Sequence, residues 1–261
     1  MSQKKNQPTL EDLFELPDDY LQGPQAATLR PALIEATERA NGQDRILKYW
    51  LKTGTEADGD LRELWRHERR QVDRVMSYPG ADEVMVGIVD MIETADAFCV
   101  VHEPGTVTLH AKLRTSPARN WLRSLGVPLN RTVLWGNLAR LTRALAILHT
   151  HGLVHGRLDA FSVFTSGAHS PDFRLGGFEW SLILGEPRPT EPSLHETRRR
   201  IDRLIYSYAE DWKALGCMFA DLAGLDPTRL RENDPYKPNA GIELNDGEIG
   251  FLRRLIDPMR D

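Results

Sequence analysis

The hydrophobic pattern of the chain changes near residue 105, and this change constrains the fold more than any other feature. Before it, β-rich runs at 28–52, 84–93 and 97–103 surround one helical pattern at 60–76. After it, the apolar spacing is mainly that of helices. The order predicts an α+β protein, in which a small antiparallel sheet with one main helix precedes a mainly helical region.

Local signals set the expected bounds of these elements. The first β-rich run should form two strands joined by a turn at Asn41-Gly42. The pattern at 60–76 predicts an amphipathic helix with arginines on its solvent-exposed face. Asn130 is expected to cap a long helix that ends near Gly152, and helices are also expected at 211–224 and 246–257.

Composition excludes several classes of function. The chain has 261 residues and a net charge of −5, so no general basic field favours nucleic acid. No apolar run approaches the roughly 20 residues of a membrane span. The start of the chain lacks the apolar core of a signal peptide, and Cys99 and Cys217 lie in apolar runs as buried thiols would. We therefore expect a cytoplasmic protein with no membrane partner.

Short motifs then narrow the fold, because seven of them occur in a fixed order. The motifs are DRILK (44–48), Glu68, FCVVHEPG (98–105), HGLVHGRLDAFSVF (151–164), FRLGGFEWS (173–181), Asp211 and DPMR (257–260). In this order the chain resembles the eukaryotic-type protein kinase family over roughly residues 28–261. The resemblance implies two lobes, an N-lobe at 25–105 and a C-lobe at 106–261 that continues further. Residues 1–24 are polar and interrupted by prolines and a glycine, and are expected to form a mobile tail with one docked helical turn.

The resemblance also implies roles for particular residues. Lys48 stands where the family has its phosphate-binding lysine, and Glu68 where it has the glutamate that pairs with this lysine. The backbone near Glu103 would receive adenine at the hinge. His155 and Asp211 match residues that hold the catalytic loop in place. Read without the resemblance, Lys48 is a surface-strand lysine, Glu68 a solvated helix residue and Asp211 a helix N-cap.

Several residues that the family needs for phosphoryl transfer are replaced in this sequence. The segment Ala26–Pro31 contains no glycine where the family has its phosphate-covering loop. Arg157 takes the place of the catalytic aspartate, and an arginine cannot accept a proton. Ser162 and Gly177 replace the asparagine and the aspartate that hold magnesium. The pattern predicts a pseudokinase with no catalytic residues and no metal site.

The sequence also leaves alternatives open. Asp159 and Glu179 are expected to be ordinary polar loop residues, but they could act as displaced acids in an atypical active Ser/Thr kinase. A second alternative is an interaction module whose cleft is filled by its own side chains. No cofactor is expected, although ATP could bind with weak affinity. The expected partner is a protein or another domain of a longer chain.

Overall fold

The computed structural model describes residues 7–18, 20, 30–115, 120–184, 207–232 and 244–257. In these ranges the protein is mixed α+β, with a five-stranded antiparallel sheet, two smaller antiparallel sheets and several helices. The predicted α+β class with a small antiparallel sheet is confirmed. The predictions that concern Ala26–Leu29 and residues 258–261 lie outside the described residues.

The first half of the chain forms the large sheet and the helix packed on it. Its elements are α1 (Leu10–Leu13), β1 (Phe14–Glu15), β2 (Ala32–Glu38), β3 (Asp44–Leu51), α2 (Ala57–Val75), α3 (Ala81–Val84), β4 (Asp90–Glu93) and β5 (Ala97–His102). The strand order in the sheet is β1-β2-β3-β5-β4. The predicted hairpin at Asn41-Gly42 joins β2 to β3, and Gly42 adopts the left-handed conformation that such turns need.

The second half is mainly helical. Its elements are β6 (Val107–Thr108), α4 (Leu109–Leu113), a 3₁₀ helix (Trp121–Arg123), α5 (Pro128–Thr150), β7 (Leu153–Val154), β8 (Val163–Thr165), β9 (Arg174–Leu175), a second 3₁₀ helix (Phe178–Trp180), β10 (Leu182–Ile183), α6 (Tyr208–Leu222), α7 (Pro227–Glu232) and α8 (Asp246–Ile256). Buried leucines of α5 form the centre of the main hydrophobic core. None of the described helices is long and apolar enough to cross a membrane.

Strand β3 is covered on both faces, because successive side chains of a strand point to opposite sides. Trp50 packs against Leu61 and Leu64 of α2 on one face. Leu47 and Tyr49 pack on the other face, in a cluster completed by residues of the N-terminal segment. Lys48 shares the face of Trp50 and therefore points toward α2.

The N-terminal segment forms part of this covering layer. The predicted helical turn is present as α1, and Thr9 caps it with its side chain. The turn continues into β1, which pairs with β2 and was not predicted. Leu10 and Phe14 are almost completely buried. Burial of these two side chains holds the segment against the sheet.

Two local predictions were wrong. A strand was expected from residue 84, but α3 ends there and β4 begins only at Asp90. Asn130 was expected to cap α5, but the helix already begins at Pro128, where a missing N–H costs nothing. The buried Asn130 side chain instead donates hydrogen bonds to the carbonyls of Trp121 and Ser124.

Phe14→Ala should lower the free energy of unfolding by about 3 kcal/mol, because it removes a buried ring from the layer under the sheet. Urea denaturation of the whole chain measures this change. Glu15→Ala, next to it and exposed, is the control and should have little effect. Equal stability of the two variants would contradict this packing of Phe14.

Candidate functional site

The site is centred on the buried ammonium group of Lys48. Its Nζ donates hydrogen bonds to Glu68 Oε1 at 2.6 Å and to Glu179 Oε2 at 2.8 Å. All three side chains are almost fully buried, with Lys48 only 2% exposed. A buried ammonium is stable only when it is paired, so these two carboxylates are what permits a lysine at this position.

Glu68 reaches Lys48 because it lies on the buried face of helix α2, in line with the apolar residues of that face. Leu61, Leu64, Val72 and Val75 are buried on the same helix as Glu68, four or seven residues away from it. The face that packs on the sheet therefore also carries this carboxylate. The predicted contact between Lys48 and Glu68 is present, and the alternative positions for these residues, a surface strand and a solvated helix face, are wrong.

Glu179 was expected to be a polar loop residue, and this expectation was wrong. Gly177, with φ +75°, lets the chain turn directly into the 3₁₀ helix that carries Glu179. A Cβ atom placed on Gly177 would lie 3.6 Å from Glu179 Oε2 and 3.0 Å from Ser162 Cβ. The Glu179 carboxylate thus lies beside the place where a side chain at position 177 would begin.

The three charges of this cluster shift one another's pKa values. Burial raises the pKa of Glu68 to about 7, against the opposing effect of the Lys48 ammonium. Burial acts on Glu179 too, but Lys48 and Arg157 hold the pKa of this carboxyl below its usual range. Burial alone would depress the pKa of Lys48, yet Glu179 and Glu68 keep it raised. The three groups therefore titrate as one coupled cluster, in which burial makes Glu68 the harder of the two carboxyls to ionise.

Arg157 and Asp159 belong to the same cleft and are engaged with protein groups. The Arg157 guanidinium lies over the Trp180 ring, 5.1 Å from its centroid. Asp159 Oδ2 lies 3.4 Å from Arg30 Nη2, so this pair connects the start of β2 to the segment before β8. Ser162 Oγ donates to the Asp159 carbonyl and accepts from its N–H, and therefore supports the loop.

Asp211 ties the loop after β7 to helix α6. Its Oδ2 accepts a hydrogen bond from the His155 backbone N–H at 2.8 Å, and its Oδ1 accepts from the Gly156 N–H at 3.0 Å. His149 Nε2 also lies 2.9 Å from Oδ2. Ser207 caps α6, so the alternative that Asp211 is the N-cap was wrong. The buried His155 ring donates from Nε2 to the Gly176 carbonyl.

The cavity beside Lys48 encloses about 30 Å³. This is room for about two water molecules, whereas small-molecule sites usually measure roughly 300–1,000 Å³. The wall is formed by side chains from β2, β3, the loop before β8 and the second 3₁₀ helix, namely Arg30, Leu33, Lys48, Arg157, Asp159, Phe161, Ser162 and Glu179. These side chains leave little open space directly beside Lys48.

Glu103 lies just after β5 and outside this cavity. Its side chain is 75% exposed and forms a loose ion pair with Arg45 at 3.6 Å. The preceding residue, His102, is buried, with Nδ1 hydrogen-bonded to the Gly87 carbonyl and its ring 5.5 Å from that of Phe164. Glu103, the predicted hinge residue, therefore directly follows a histidine whose ring contacts the ring of Phe164.

No protein-family model matches the chain, and no curated protein is significantly similar to it. Functional inference therefore depends on the geometry of the Lys48 cluster and its surroundings.

Glu68→Gln should remove one component of the pH dependence of stability. The folded chain binds the Glu68 proton more tightly than the unfolded chain, in which the pKa is near its ordinary 4.5. This stabilisation is complete below about pH 4.5 and is lost as the pH rises through about 7. The stability difference between the wild type and Glu68→Gln should therefore fall across this window in urea denaturation.

His102 contributes with the opposite sign, because burial lowers its pKa to about 4, but it is present in both proteins and cancels in the difference. Glu63→Gln, on the outer face of α2, is the control and should follow the wild type. A wild-type-like pH profile for Glu68→Gln would show that Glu68 titrates below the neutral range.

Proposed function

We propose that the chain is a protein-kinase-like domain with two lobes that does not transfer phosphate and that acts as a regulatory or scaffolding module. The proposal rests on the residues that are kept and those that are replaced. Lys48, Glu68 and Asp211 make the contacts that hold such a scaffold together. Arg157 and Gly177 stand where proton transfer and metal binding would need carboxylates.

The state of Lys48 is the single observation that carries the proposal. Its ammonium already has two carboxylate partners, and the cavity next to it has room for about two waters. A nucleotide phosphate would have to displace Glu179 to reach the lysine. Separating this buried ion pair costs electrostatic energy. A cleft in this state favours binding of a partner at the surface over chemistry within it.

The region expected to receive adenine also supports a module that works without nucleotide. Ile46 replaces the alanine of the V-A-I-K motif and lies opposite His102 in the sheet. Ile46, His102 and Phe164 are all buried, and the two rings are in contact. A purine would need this space. The partner of the domain would be a protein or another domain of a longer chain, in the cytoplasm.

ATP should leave the unfolding midpoint of the protein unchanged, with or without magnesium, and radiolabelled ATP should give no phosphate transfer. A ligand present at about 100 times its Kd would stabilise the fold by about 2.7 kcal/mol, a shift that thermal unfolding detects readily. Lys48→Ala tests the cleft, and Lys213→Ala on the exposed side of α6 is the matched control. Transfer by the wild type that is lost only in Lys48→Ala would overturn the proposal.

One observation favours the alternative of an atypical active kinase: the Glu179 carboxylate lies beside Gly177, where the family has a magnesium ligand. In that case Glu179 would hold magnesium and Asp159 would orient the acceptor hydroxyl after release from Arg30. Both Glu179→Gln and Asp159→Asn should then abolish transfer in the same radiolabel assay. If any transfer survives Asp159→Asn, the alternative is excluded in this form.

A further inference from the structure

The small cavity beside Lys48 adjoins a larger hollow in the protein surface. The hollow measures about 780 Å³ and is lined by residues of β2, β3 and α4, among others. Three residues line both spaces, namely Pro31, Leu33 and Phe161. These side chains therefore form a partition between the hollow and the buried ammonium group of Lys48.

The Phe161 ring in this partition is held by two neighbouring side chains. The Arg30 guanidinium lies over the ring, 4.7 Å from its centroid, in a cation–π contact. The His110 ring of α4 is stacked on the Phe161 ring, with the centroids 3.9 Å apart and the planes 20° from parallel. The position of this ring therefore depends on a residue from each half of the chain.

Asp159 fixes the guanidinium and the ring relative to each other. Its Oδ2 lies 3.4 Å from Arg30 Nη2, and its Oδ1 accepts a hydrogen bond from the Phe161 backbone N–H at 2.8 Å. Arg30 precedes β2, whereas Asp159 and Phe161 precede β8. Arg30 thus connects the two halves of the chain at the wall of the Lys48 cavity.

We propose that Arg30, Asp159, Phe161 and His110 form a latch that closes the Lys48 cavity toward the larger hollow. The side chains of Arg30 and Asp159 are 38% and 35% exposed, and Phe161 is 40% exposed. Exposed ion pairs and cation–π contacts each add little stability, so the latch opens while the rest of the fold stays intact. This inference deepens the proposed function, as a regulation of access to the cleft, and rests on its assignment of the cleft.

Loss of the Arg30 guanidinium should make the cavity wall open more often. A cation–π contact together with an exposed ion pair corresponds to about a three- to thirtyfold change in an equilibrium. Arg30→Met keeps the length of the side chain and removes both contacts. A group behind the partition should therefore react about three- to thirtyfold faster with a reagent in solution.

The experiment measures alkylation by iodoacetamide of a thiol introduced by Ser162→Cys, with mass spectrometry of each cysteine-containing peptide. Ser162 is 5% exposed and lines the cavity. All the proteins also carry Cys217→Ser, because the Cys217 thiol is not fully buried. Cys99 is fully buried and reports global unfolding in the same sample. Arg30→Met should speed alkylation at position 162 and leave that of Cys99 unchanged.

Arg114→Met is the matched control, because Arg114 lines the hollow and is not among the described residues on the cavity wall. Its rate should equal that of the parent protein. Phe161→Leu should also speed alkylation. Arg30→Met/Phe161→Leu should do so by less than the product of the two single effects, because each single substitution already removes the contact between these residues.

If Ser162→Cys does not fold, amide hydrogen exchange over residues 159–165 in the chain that keeps this serine makes the same comparison. The inference is overturned if Arg30→Met and Phe161→Leu react no faster than Arg114→Met, or if Cys99 speeds up to the same extent. Effects of Arg30→Met and Phe161→Leu that simply multiply would also overturn it, because the residues of one latch must be coupled. Phosphate transfer by the wild type would contradict the proposed function and leave the latch standing, since alkylation involves no transfer.

Discussion

The buried ammonium of Lys48 is the interaction on which the rest of the structure depends. It connects β3, α2 and the second 3₁₀ helix, and its two acidic partners lie 20 and 131 residues along the chain. A charge that has left water must be compensated locally, so these three elements can only be arranged in ways that keep both carboxylates within reach. The cluster therefore fixes the position of the helix relative to the sheet more narrowly than apolar packing would.

The charged side chains of this cluster illustrate the difference between stabilising a fold and taking part in a reaction. Reactive groups in a cleft need to reach a substrate, which requires a hydrogen-bonding capacity that the protein leaves unfilled. Here Arg30 and Lys48 at the cleft wall already have carboxylate partners, and the oxygens of Asp211 accept hydrogen bonds from backbone N–H groups. Polar groups arranged in this way make the fold rigid and specific, which suits a domain that presents a fixed surface.

Much of this arrangement could be predicted from the sequence, because it follows from local periodicity. The helical spacing around Glu68 and the Asn41-Gly42 turn each fix a short segment, and the order of motifs suggested that Lys48 and Glu68 meet. The role of Glu179 could not be predicted, since its burial depends on how a turn at Gly177 directs a residue 131 positions from Lys48. The predictions for Asn130 and for the stretch before Asp90 failed for a related reason. Tertiary contacts decided between several locally acceptable conformations.

The covering of the sheet by the N-terminal segment has a consequence for how the chain folds during synthesis. Leu10 hydrogen-bonds through its backbone to Asp96, which is 86 residues further on. The segment is made before the strands it packs against, so its apolar side chains cannot be fully covered until β5 has left the ribosome. Slow translation through this region would prolong that exposure and increase the demand for chaperones.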